Sequence, residues 1–189
     1  MSATNTSIPT PVSLVELTNP VYRGKVALAY PLFGSTATHL LALRQHWGAA
    51  AWETWCRALA ANKPFLVDGN SVAARMVAKG QVKVGLTDSD DIAAENREGA
   101  SLKALPISGE TLLLPNTVAI VRNAPHLEAA ERLFEYLQTR GVTDRLVEAG
   151  ALEGAVATDV WGSTVRPDWD ALLRDLETGT RLMQNIFPR

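Results

Sequence analysis

Three carboxylates stand within four positions in VGLTDSDD, residues 84 to 91, where an apolar run breaks without a spacer into Asp88, Asp90 and Asp91. Clustered carboxylates are hard oxygen donors, the chemistry that holds a metal ion such as calcium or iron, and they also accept hydrogen bonds from ammonium groups. Two other short stretches carry polar groups of the opposite preference. PLFGST (31 to 36) offers Gly34, Ser35 and Thr36, and VDGNS (67 to 71) offers Asn70. A glycine that lets a ligand approach the backbone, hydroxyls, a side-chain amide and the free amides of a helix start together favour an anion. Each stretch also has a plainer reading. Ser35, Asn70 and Asp88 are ordinary helix caps, and Asp90 and Asp91 are acids that a helix dipole favours in a first turn.

The elements that position these residues follow from the pattern. KVALAY (25 to 30), PFLVD (64 to 68) and QVKVGLT (81 to 87) are short apolar runs with the character of strands, and SLKALPI (101 to 107) is a weaker fourth. Between them lie helical segments: STATHLLALRQHWG, stopped by Gly48; AAAWETWCRALAAN; GNSVAARMVAKG, opened by Asn70 or Ser71 and closed by Gly80; and SDDIAAENREG. Strands alternating with helices predict a parallel sheet with crossover helices, an α/β layer. Ligands of such sheets sit beyond the carboxyl ends of the strands, and all three polar stretches are strand-to-helix turns. Three polar turns on one edge favour a binding site over three separate caps.

The remaining sequence bounds the function. The chain has 189 residues, a net charge of -2, 47% hydrophobic and 20% charged residues, the composition of a soluble globular protein with no basic surface for nucleic acid. The lone Cys56 excludes an internal disulfide and reads as a packed thiol. His39, His46 and His126 show no metal-ligand spacing, and the glycine-rich phosphate motifs and the GxSxG nucleophile turn are absent. No catalytic set is visible, so the expectation is a protein that is not an enzyme and has no cofactor; a carboxylate-based metal hydrolase is the weakest option. The five tryptophans, Trp47, Trp52, Trp55, Trp161 and Trp169, read as packing residues. Residues 1–19 are rich in Ser, Thr and Pro and read as a linker or extended arm. The start lacks the basic and apolar runs of a signal peptide, so as written the chain is expected to stay in the cytoplasm. TLLLPNTVAIV (111–121) suggests two short strands interrupted by Pro115 and Asn116, a passage between structural units, and the rest is mostly helical.

The blocks LTNPVYRGKVALAYPLFGSTATHLLAL, GNSVAARMVAKGQVKVGLTDSDDIAAE and LLLPNTVAIVRNAPHLEAAERLFEYL, in this order over roughly residues 10 to 150, resemble the periplasmic solute-binding proteins of ABC importers. The branch is the one that includes the ferric-iron-binding proteins. The resemblance implies a clamshell of two α/β lobes: residues 20–110 forming one ligand-binding lobe, 111–121 crossing the hinge, and 122–189 a helical C-terminal part of the other, incomplete lobe. The first lobe's remainder and the export signal would then lie outside this chain, with a partner chain as one source of the lobe. Ferric-binding relatives place an adjacent tyrosine pair where this sequence has Asp90 and Asp91, which makes those two residues the implied metal ligands. Gly34, Ser35, Thr36, Asn70 and Asp88 match the turns that hold the accompanying anion, phosphate or carbonate. The implied function is solute binding for an importer's membrane subunits, in the periplasm or another extracytoplasmic space, with ferric iron as the leading solute. A polyamine or other organic cation is the runner-up, and a receptor remnant acting as an interaction module is a third reading.

Overall fold

A computed structural model describes residues 8–105, 107–154 and 163–188. Its centre is a parallel sheet of three strands, β1 (Val26–Ala29), β2 (Phe65–Val67) and β3 (Val84–Leu86), in the order β2-β1-β3. Ala27 is level with Phe65 on one side and with Gly85 on the other. All four residues of β1 are buried. Val26 belongs to the large apolar cluster and Ala27 to a smaller one with Ala73 and Val82, so the strand is covered on both faces. A continuous apolar run such as VALA is what a central parallel strand requires.

Helices α1 (Gly34–Trp47) and α2 (Ala49–Ala61) follow β1, α3 (Asn70–Ala78) follows β2, and α4 (Ser89–Arg97) follows β3. Helix α3 packs on β1 and β3. It comes close enough at Gly85 that a Cβ there would stand 3.0 Å from Val77 Cγ2, which explains a glycine inside a strand. Helices α1 and α2 bring Leu40, Leu41, Leu43, Trp52, Trp55, Cys56 and Leu59 into the main core. Burial pushes the Cys56 thiol up to about 12, with the Glu53 charge adding to it, so the thiol is an inert packing group. Trp47 meets Trp55 edge-on at 5.3 Å, whereas Trp169 remains 45% exposed and Trp161 lies outside the described residues.

Several expectations change in the structure. Among the described residues of 101–107 there is no strand. The Asn96 side chain donates to the Leu102 carbonyl at 3.0 Å and accepts from its N–H at 2.7 Å, taking the groups a neighbouring strand would have paired. Within 111–121 only Thr111–Leu112 (β4) forms a strand, paired in parallel with β5 (Thr164–Val165). The arm is docked at its far end: Leu14 and Leu17 are buried in the main core, and the Trp55 indole donates to the Leu14 carbonyl at 2.8 Å.

The chain forms two compact units, Met1–Leu112 with Trp161–Arg189, and Leu113–Val160. The last helix, α7 (Trp169–Ile186), is therefore grouped with the sheet. It packs on α1 and α2, burying Leu172, Met183 and Ile186, while Asp175 pairs with Arg44. Asp168 caps it by accepting from the Ala171 N–H at 3.0 Å. The second unit contains α5 (Leu127–Leu137) and α6 (Arg140–Glu148), neither of which has a buried residue. No described helix is long and apolar enough to cross a membrane.

Candidate functional site

Because β1, β2 and β3 run parallel, their carboxyl ends share one edge, and the turns into α1, α3 and α4 meet there. The Tyr30 N–H donates to the Val67 carbonyl at 2.8 Å, so β1's ladder continues up to the turn that carries Asn70. Gly34 adopts φ +59°, a left-handed conformation that swings the chain from strand into helix and that a side chain would resist.

The three polar residues read as caps do not cap. The cap positions of α1 and α3 are Phe33 and Gly69, which leaves Ser35 and Asn70 inside the first turns. Asp88 does hold the cap position of α4, yet its side chain bonds no amide of that helix. All three turn instead toward one another. The Ser35 hydroxyl donates to Asp88 Oδ2 at 2.6 Å, and the Asn70 amide donates to that same oxygen and to Ser35 Oγ, each at 2.7 Å. Thr36 donates to Asn70 Oδ1 at 2.9 Å, and the Thr87 hydroxyl lies 2.9 Å from the Asn70 carbonyl oxygen and 3.4 Å from Asp91 Oδ2. Asn70 thus joins all three turns.

One carboxylate oxygen from each of Asp88, Asp90 and Asp91 lies within 4.8 Å of the others. Asp90 is exposed, and the other two are half-buried. Burial raises the Asp91 carboxyl above its ordinary value, the Asp90, Asp88 and Glu95 charges add to this, and the Thr87 hydroxyl opposes it. Residues 30–36, 67–71 and 86–91 include no Lys, Arg or His. This edge therefore carries grouped negative charge with no basic side chain in its turns. An anion would meet carboxylates, and the hydroxyl and amide groups of Ser35, Thr36 and Asn70 are engaged with one another.

His39 in α1 and Phe33 at its cap position were not read from the sequence as site residues. His39, one helical turn beyond Ser35, donates from Nε2 to the Glu110 carbonyl at 2.6 Å, and the Glu110 carboxylate accepts from the Leu14 N–H. Burial lowers the His39 pKa, against the opposing influence of the Glu110 carbonyl and Asp88. Phe33 is 68% exposed, with its ring 6.1 Å from that of Tyr30. The sequence signal for Phe33 was an aromatic residue immediately before a helix start at a strand's carboxyl end. His39 gave none, since its partner is a backbone carbonyl 71 positions away.

The family model of the bacterial extracellular solute-binding proteins matches residues 2–152. Comparison with curated proteins returns no match. Among solved structures, iron-bound HitA from Pseudomonas aeruginosa is similar at TM-score 0.71 and 18% identity, over 96% of this chain and 63% of its own. The ferric iron-binding protein A of Mannheimia haemolytica, in an open conformation, is similar at TM-score 0.68 and 17% identity, over 94% of this chain and 62% of its own. The periplasmic binding protein P5PA is similar at TM-score 0.69 and 20% identity, over 94% of this chain and 60% of its own. At such identities the likeness is one of fold, the α/β periplasmic-binding-protein fold. The chain spans less than two thirds of the length of each of these proteins.

Proposed function

Since the chain belongs to the bacterial extracellular solute-binding proteins, we propose that it serves as the solute-binding component of an ABC-type importer and that its solute is a cation. The observation that carries this reading is the grouping of Asp88, Asp90 and Asp91, an oxygen of each within 4.8 Å of the others, on a sheet edge whose turns contain no basic side chain. Asp90 and Asp91 supply charge directly, and Asp88 is oriented by Ser35 and Asn70. Ferric iron is one such solute, favoured by the fold shared with iron-bound HitA and by the suitability of carboxylates as hard ligands. The accompanying anion, phosphate or carbonate, would have to displace the bonds among Ser35, Thr36 and Asn70 to use their side chains. Phosphate or carbonate is therefore the weaker half of the iron reading.

The importer's membrane subunits would be the protein partners, in the periplasm or another extracytoplasmic space. Residues 111–121, where the boundary between the two units falls, would carry the crossing between lobes. The test is calorimetric titration with ferric citrate of the wild-type protein and of the double variant Asp90→Asn, Asp91→Asn. Binding that is lost in the double variant is expected. Equal binding by both proteins would remove the carboxylate site.

A further inference from the structure

The chain has five lysines, and four of them, Lys25, Lys63, Lys79 and Lys83, gather at the amino ends of the parallel strands, opposite the carboxylates. Lys25 and Lys83 directly precede β1 and β3, and Lys63 stands two residues before β2. Backbone bonds tie these strand ends side by side. The Lys83 N–H donates to the Lys25 carbonyl at 2.9 Å, and the Gly24 N–H donates to the Asn62 carbonyl at 2.8 Å. Buried Asn62 in turn donates to the Leu17 and Asn19 carbonyls, each at 2.8 Å, which fixes the loop that carries Lys63. Neighbouring strands lie about 5 Å apart, so these lysines form one row across the sheet. Arg23 lies two residues before Lys25, and Lys79 holds the carboxyl cap of α3.

Such a row is unfavourable by itself. Like charges level on adjacent strands repel, and residues 19–25, 60–64 and 79–83 include no Asp or Glu. The ion pairs among the described residues involve none of these five cations, and Glu98, exposed at the carboxyl cap of α4, pairs with none of them. Helix ends account for part of the charge. Arg23 donates to the carbonyl of Ala61, the last residue of α2, at 2.8 Å, and Lys25 Nζ donates to the Val21 carbonyl at 2.9 Å. Lys63, Lys79 and Lys83 are exposed, and their ammonium groups bond nothing among the described residues. Lys63 also adopts φ +52°, so a lysine stands where backbone conformation alone favours glycine. Two residues further on, in β2, Phe65 is 46% exposed.

A lipid surface with anionic headgroups meets both features, offering phosphates to the lysines and an apolar layer beneath them to the phenyl ring. An acidic protein or a nucleic acid would satisfy the lysines alone. We infer that the amino edge of the sheet, through Lys63, Lys79, Lys83 and Phe65, docks on an anionic lipid surface. That surface repels the acids at the opposite ends of the same strands, so docking turns the candidate solute edge away from it. The inference stands whether or not the carboxylates bind a cation.

The test is co-sedimentation of the full chain with vesicles of phosphatidylglycerol and phosphatidylcholine in equal parts, and with vesicles of phosphatidylcholine alone. The triple variant Lys63→Gln, Lys79→Gln, Lys83→Gln is compared with the charge-matched triple Lys103→Gln, Arg132→Gln, Arg181→Gln and with Phe65→Ser, each checked for folding by circular dichroism. Binding to the phosphatidylglycerol vesicles alone is expected, weakened by added salt, reduced about fivefold for each lysine of the row removed, and retained in the matched triple. Phe65→Ser is expected to weaken it severalfold, and unchanged binding in that variant would overturn the ring's part in the contact. Equal loss in the two triples would overturn the row, since net charge alone would then account for binding. Absence of wild-type binding to the anionic vesicles would overturn the inference outright. So would binding to polyglutamate or to duplex DNA that matches vesicle binding in affinity and in its dependence on the three lysines.

Discussion

Asp88 sits where a helix cap belongs and does something else with its side chain. One of its oxygens takes hydrogen bonds from Ser35 and Asn70, and this fixes the carboxylate beside Asp90 and Asp91 instead of over the α4 amides. Asn70 is the residue on which this arrangement depends. Asn70→Leu takes away the acceptor of the Thr36 hydroxyl and the amide that donates to both Ser35 Oγ and Asp88 Oδ2, so it is expected to cost about 1–3 kcal/mol of stability in denaturant titrations. Asp91 reports the electrostatics. Its folded carboxyl is raised above the unfolded value of about 3.9, so the folded state holds the proton more tightly across the window between the two. Stability is accordingly lost as pH rises through that window, and a bound cation takes over the proton's role. Cation affinity is therefore expected to fall as pH is lowered through the raised range of Asp91. Asp91→Asn should weaken cation binding by about tenfold or more while leaving the unliganded protein at least as heat-stable near neutral pH. These polar residues were legible in sequence because they follow apolar runs directly. Their mutual bonds were not, since a cap and a cross-turn donor have the same residue types and differ only in direction.

At the scale of elements, strands 26–29, 65–67 and 84–86 were legible because each is a short apolar run closed by turn residues. The segment 101–107 has a similar appearance, and its described residues form no strand because the Asn96 amide satisfies Leu102. Pattern identifies a face that can be buried, but it does not name the partner that buries it. The last helix shows the same limit. Its amphipathic spacing called for a covering surface, and α1 and α2 supply one through a close approach at Gly179, where an added Cβ would collide with Leu41. Leu41 is itself 1% exposed and has little room to yield. Gly179→Leu is expected to lower stability by about 1–3 kcal/mol, the usual effect of overpacking, whereas Leu173→Ala on the exposed side of α7 should be nearly neutral. Urea unfolding of the two variants, run side by side, checks the assignment of that face.

At the scale of the molecule, the two units differ in how much they bury. The unit containing the sheet holds the whole of the main core, whereas α5 and α6 of the other leave Leu127, Leu133 and Tyr136 each more than half exposed. Backbone amides in 127–148 are expected to exchange with deuterium well before those of β1 and α1, because opening a helix with few buried contacts costs less. The proposed function turns on the sign of the charge that the sheet edge would receive. The family is one of solute-binding proteins, and the edge of this member presents three grouped carboxylates with no basic residue in its turns. The measurement that tests this most directly is anomalous diffraction from crystals soaked in terbium(III), an oxygen-seeking cation whose position can be read without assuming any ligand. A single strong peak within about 2.3–2.6 Å of carboxylate oxygens of Asp88, Asp90 and Asp91 is the expected result. The account would be contradicted by crystals that show terbium only at other surface acids, with these three carboxylates bare.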